Sequence, residues 1–151
     1  MSGDSGDIRE LYQEMIIDHN RYPRNYHAMS DATTRAEGFN RLCGDKLTVY
    51  AKIENNQVVD LSFEGVGCAI CKASASLMTE ALQGKSLAEA HCLFQQFHTM
   101  VTTDVAVNHA LEKLVVLAGV RAYPSRVKCA TLAWHTLEAA LNKDPAVVST
   151  E

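Results

Sequence analysis

Residues 46–68, "KLTVYAKIENNQVVDLSFEGVGC", decide the fold. Leu47, Val49, Ala51 and Ile53 alternate with polar residues, the period of a strand with one buried face. "NNQ" at 55–57 supplies a turn, and Val59, Leu61 and Phe63 alternate on the way back. This is a β-hairpin. A third strand is expected near Thr34 to Gly38.

Outward from the hairpin the period changes. A first helix is expected from about Ile8, capped by Asp7 with Glu10 as its capping-box partner. Ile8, Leu11, Tyr12, Met15 and Ile16 fall on one face, and Pro23 ends the helix. From Ala69 onward the chain reads as helical. "CKASASLMTEALQG" stops at Gly84, a good C-terminal cap, and "SLAEAHCLFQQFHTMV" opens with a capping box, Ser86 and Glu89. "DVAVNHALEKLVVLAGV" is expected to be a further helix, then a loop, "RAYPSRVK", and a last helix, "CATLAWHTLEAALNK". Strands first and helices afterwards imply a single α+β domain over residues 1–151, a small antiparallel sheet with helices on one face. Its ordered core is expected at about 8–143, between a polar N-terminus and a tail, "DPAVVSTE", with no helical pattern.

The composition narrows the function. A net charge of -4 and scattered basic residues give no case for nucleic acid. No apolar run reaches the roughly 20 residues of a membrane helix. The acidic N-terminus is no secretory or transit signal, so a cytoplasmic location is expected. Five cysteines in a reducing compartment argue against a disulfide framework and for metal ligation, a reactive thiol or burial.

Three of the five fall at element junctions: Cys43, Cys68 and Cys129. Cys68 and Cys129 are placed at or just before a helix start, where the dipole favours a thiolate. Zinc takes four donors in a tetrahedron, and Asp45 offers an oxygen from the loop that carries Cys43. Gly44 lets that loop bend. Asp45 reads equally as a turn aspartate, and each cysteine as a small hydrophobe. Cys68 and Cys71 form C-x-x-C, but the parallel strands of a thioredoxin-like redox fold are missing. Cys71 is expected to be a small helix residue near the site, and Cys92 to pack in core or surface. His19, His27, His91, His98, His109 and His135 are scattered and expected on helix surfaces.

"LYQEMIIDHNRYPRN", the C-G-D of residues 43–45, "GVGCAICKASAS" and "SRVKCATLAW" together resemble the IscU/NifU-N-like iron–sulfur cluster assembly family over roughly residues 8 to 142. Lys128 stands where classical IscU scaffolds place a histidine, and an insertion separates Cys68 from Cys129; both resemble the SufU type. The family has a non-thiol residue where this chain has Cys71. The resemblance implies a zinc-dependent sulfur acceptor, with zinc on Cys43, Asp45, Cys68 and Cys129. It implies a PLP-dependent, SufS-like cysteine desulfurase as partner, one of whose histidines replaces Cys43 on zinc. Cys43 then accepts persulfide sulfur for a downstream cluster scaffold, with Arg126 as a docking or transfer aid. The rival is a scaffold on which an iron–sulfur cluster is held transiently by the same thiolates.

Overall fold

The computed structural model describes residues 2–142 and 148–150. Helix α1 (Ser2–Arg21) is followed by strands β1 (Thr34–Asn40), β2 (Asp45–Glu54) and β3 (Gln57–Val66). Then come α2 (Ala69–Leu82), α3 (Leu87–Thr102), a 3-10 segment (His109–Ala122), α4 (Pro124–Leu141) and a short β4 (Val148–Ser149).

The hairpin forms as its sequence dictates. Asn55 and Asn56 both take positive φ, 52° and 60°, the pairing of a two-residue type I′ turn. Strands β1, β2 and β3 pair antiparallel, and β4 adds in parallel to β1, giving the order β3-β2-β1-β4. The tail with no helical pattern thus contributes a strand edge; residues 143–147 lie outside the described residues.

One expected inward residue is displaced. Lys52 pairs with Asp60 but Ile53 with Val58, so Val59 is the extra residue of a bulge. The bulge turns Val58 into the core at 0% exposure and Val59 out to 37%. Leu47, Val49, Ala51, Leu61 and Phe63 are all fully buried on the core face.

Helices α2 and α4 pack on the sheet and on each other. Small residues make α2 a close neighbour: Ser74 Oγ donates to the Ala130 carbonyl of α4 and accepts from Trp134 Nε1. Fully buried Trp134 stacks on Phe97 of α3, with centroids 4.4 Å apart. Truncating either ring to alanine should cost about 3–5 kcal/mol. The capping box of Ser86 and Glu89 and the left-handed Gly84 (φ +88°) are as expected.

Four expectations fail here. Helix α1 begins at Ser2, so Asp7 lies inside it instead of capping it. Residues 104–108 are not helical, and the next element is a 3-10 segment broken at Glu112 (φ 54°, ψ −123°). Helix α4 starts at Pro124, whose fixed φ and missing N–H suit the first helical position. Cys129 therefore sits in the second turn, where the dipole of a helix start no longer acts on it.

His19 is the fourth. It is buried at 2% exposure, on the same α1 face as Tyr12 and Ile16. Ser76 Oγ accepts from the Arg24 amide at 2.8 Å and meets His19 Nδ1 at 2.7 Å. Burial keeps the ring neutral, and the Glu80 carboxylate 3.6 Å from Nε2 holds the proton there, so Nδ1 accepts from the serine. A neutral imidazole pins α1 to α2.

Candidate functional site

The sheet and two helices meet at one end of β2. Residues Arg41–Gly44 make the turn from β1 to β2, closed by the Gly44 amide on the Arg41 carbonyl at 3.3 Å. Gly44 has φ +71°, and a Cβ at this position would meet nothing within 4 Å, so its demand is conformational. The turn leaves Cys43 half-buried and Leu42 exposed at 78%. Asp45, the first residue of β2, points inward and is 2% exposed.

Cys68 is the N-cap of α2, as the sequence implies. Its backbone N–H donates to Asp45 Oδ1 at 2.9 Å, and its sulfur accepts from the Cys71 amide at 3.5 Å. Gly67 makes this approach feasible: a Cβ there would stand 3.0 Å from Asp45 Oδ1 and 3.1 Å from Cys71 Sγ.

From α4 comes Cys129, fully buried. The donor atoms of Cys43, Asp45 and Cys129 all lie within 4.8 Å of one another. Cys68 stands outside that mutual radius, yet its side chain reaches Cys129 and Arg126. Burial, and then hydrogen bonding with Cys43, Asp45 and Cys68, pushes the Cys129 thiol well above its ordinary pKa. Without a bound cation it is a neutral S–H at pH 7. Burial pushes the Cys71 thiol up as well, followed by the charge of Asp45. Arg126, exposed on the first turn of α4, is held more firmly protonated by Cys68 first and then Cys129.

The donor set fits a zinc ion. Asp45 Oδ2 is buried and has no hydrogen-bond partner, a cost of about 1–3 kcal/mol that a cation would remove. Ligand atoms around tetrahedral zinc stand roughly 3–4 Å apart, within the spread of these three. Among the described residues no histidine belongs to the group. Cys92 is exposed on α3, away from it.

Beside the site runs a shallow groove lined by Tyr12, Ile16, Ile70, Val120, Tyr123 and Arg126. Of these, the sequence singles out Arg126 alone as a site residue; the groove arises where α1 and the 3-10 segment meet, a juxtaposition with no local signal. No helix among the described residues is long and apolar enough to cross a membrane.

Comparison with known proteins agrees with this architecture. The iron–sulfur cluster assembly scaffold protein IscU of Thermotoga maritima is 38% identical over 136 residues, covering 90% of this chain and 96% of its own. The zinc-dependent sulfurtransferase SufU of Bacillus subtilis is 35% identical over 143 residues, covering 93% and 95%. A crystal structure of an iron–sulfur cluster assembly scaffold protein for the SUF system, from Fervidobacterium islandicum, superposes with a TM-score of 0.80 at 34% identity. It covers 85% of this chain and 94% of that one. The NifU-like N-terminal domain family matches residues 11–148. With fold, helix-capping cysteine and Cys-Asp-Cys group all in place, the chain belongs to the NifU-like N-terminal domain family, with the IscU and SufU proteins of iron–sulfur cluster assembly.

Proposed function

We propose that this protein is a zinc-dependent sulfur acceptor for a cysteine desulfurase of the PLP-dependent, SufS-like kind, working in the cytoplasm. One observation carries the reading: Cys43 is half-exposed on a glycine turn, while its neighbours Cys129 and Asp45 are buried. A nucleophile must reach a partner; a holding ligand must not move.

Cys43, Asp45, Cys68 and Cys129 would hold the metal. Bound there, zinc would keep the thiols deprotonated at neutral pH, offsetting the burial that otherwise protonates Cys129. The Cys43 thiolate attacks the outer sulfur of the desulfurase cysteine persulfide. The S–S bond breaks, the desulfurase thiolate leaves, and Cys43 carries the persulfide to a downstream cluster scaffold. Arg126 lies beside Cys68 and Cys129 at the mouth of the groove, placed to steady the negative charge that moves between sulfurs. Exposed Leu42 and Tyr123 give a docking enzyme apolar footing around the site.

The scaffold reading is favoured by the IscU name of a 38%-identical relative. It would require Asp45 as fourth protein ligand of a [2Fe–2S] cluster, because the histidine expected before the third cysteine is Lys128 here. Purification and labelling decide between the two. The acceptor should be colourless with about one zinc per chain. Persulfide labelling should mark Cys43, and Cys43→Ser should abolish both the label and desulfurase stimulation. A brown protein with stoichiometric iron and sulfide, in which Cys43 takes no persulfide label and which stimulates no desulfurase, would overturn the reading.

A further inference from the structure

Two histidines meet away from the cysteine–aspartate group. His98 on α3 and His135 on α4 each follow directly on one ring of the Phe97–Trp134 stack. That buried stack fixes the spacing of the two helices, and the imidazoles beside it stand with ring centroids 5.6 Å apart. Phe94 packs against both, its centroid 5.9 Å from His98 and 5.3 Å from His135. With Gln95 and Thr99 these three rings line a hollow open to solvent. Among the described residues neither imidazole has a hydrogen-bond partner, so their ring nitrogens are free for a ligand in the hollow. Burial, and then the charge of His98, lowers the pKa of His135, which is therefore neutral at pH 7 with a lone pair to give. Glu138, one turn further along α4, holds its carboxylate within electrostatic reach of His135 and meets His91 Nδ1 at 3.4 Å.

We propose that His98 and His135 form a second metal site, a two-imidazole chelate for a divalent transition ion of the zinc, cobalt, nickel or copper kind, with water in the remaining positions. Neutral imidazole selects ions of this class over magnesium and calcium, which take oxygen donors. Two imidazoles on one tetrahedral ion, at metal–nitrogen distances of about 2.0–2.1 Å, place their ring centroids roughly 5 Å apart. The pair needs only a small rotation to close on an ion. Glu138 adds negative charge beside it. The site lies on a later turn of the helix that carries Cys129 and uses none of the donors assigned to zinc, so it does not rest on the zinc reading. An ion held there ties α3 to α4.

Titration of the protein with cobalt(II), followed by calorimetry and by proton NMR of the histidine rings, tests this. Cobalt at the cysteines is told apart by its sulfur-to-cobalt absorption band. A further population of about one cobalt per chain, without that band, should shift the ring signals of His98 and His135 and should persist in Cys92→Ala. His98→Gln and His135→Gln should each weaken it at least roughly tenfold, and the double variant little more, because either loss breaks the chelate. Cobalt should also raise the Tm of Cys92→Ala more than that of either histidine variant. Circular dichroism of the metal-free variants separates loss of a ligand from loss of the fold, and either variant alone suffices. Unchanged affinity in a folded His98→Gln or His135→Gln, or cobalt shifts confined to other histidines, would overturn the proposal and leave the zinc reading untouched.

Discussion

The turn that carries Cys43 and the helix that carries Cys129 face each other across the site, built on opposite plans. The turn is four residues closed by a 3.3 Å backbone hydrogen bond and by the Leu42 amide donating to Asn40 Oδ1, with its thiol half-exposed and a left-handed glycine next to it. The helix is pressed on the sheet so closely that a Cβ at Gly38 would stand 2.0 Å from Thr136 Oγ1 and 3.3 Å from its Cβ. One wall is able to yield and the other is not. The proposed sulfur transfer would use that inequality, since the accepting atom would have to travel while a bound metal stayed.

The largest effect should come from removing the rigid wall's ligand. Cys129→Ser should lose zinc, and with it the stabilisation a tight ligand contributes, about 4 kcal/mol at a thousandfold excess over Kd. Thermal melts with and without chelator measure it: the chelator-induced fall in Tm seen for wild type should vanish in Cys129→Ser and persist in Cys43→Ser. Equal losses in both variants would break the comparison.

Gly38→Ala comes next. The methyl must push α4 off β1, costing about 1–3 kcal/mol, and Cys129 rides on the displaced helix, so zinc affinity should fall with stability. Gly44→Ala meets no neighbour and suffers only the left-handed backbone penalty, about 1 kcal/mol, with zinc affinity nearly unchanged. Gly44→Asn should recover most of that, since asparagine tolerates the conformation. Denaturant unfolding alongside chelator competition separates the two glycines.

The smallest effect lies away from both walls. Burial, and then the charge of Arg24, lowers the pKa of His19. Its folded value is below the unfolded value near 6.5, so the unfolded chain binds the proton first. Stability is fully present above that value and declines as pH falls below it. His19→Asn retains an acceptor for Ser76 without a proton site, so its plot of Tm against pH should be shallower between about pH 7 and 5.

Much of this is legible in the residues. Alternation locates β2 and β3, and the Asn55–Asn56 pair specifies their turn. The bulge that exchanges Val58 for Val59 carries no glycine or proline and leaves no signal. Pro124 does signal the start of α4, but running the loop through it misplaces Cys129 at a helix end. His19 continues the apolar face of Tyr12 and Ile16, so its burial is readable from spacing; the serine that satisfies it, Ser76, is 57 residues away. Cys43, Asp45 and Cys129 converge as the motif implies, whereas the contact between Cys71 and Asp45 depends on how α2 enters the sheet.

The order of elements along the chain sets a schedule for synthesis. The sheet's core face, with Leu47, Val49, Leu61 and Phe63, is made before either helix that covers it. Helix α4 is complete only roughly 75 residues after β3, a delay of about 4–15 s at ribosomal rates of about 5–20 residues per second. Through that interval α2 alone is available to cover the apolar face, and the candidate metal site lacks Cys129. The two shortfalls end together, because the helix that completes the cover also delivers the last sulfur of the candidate site.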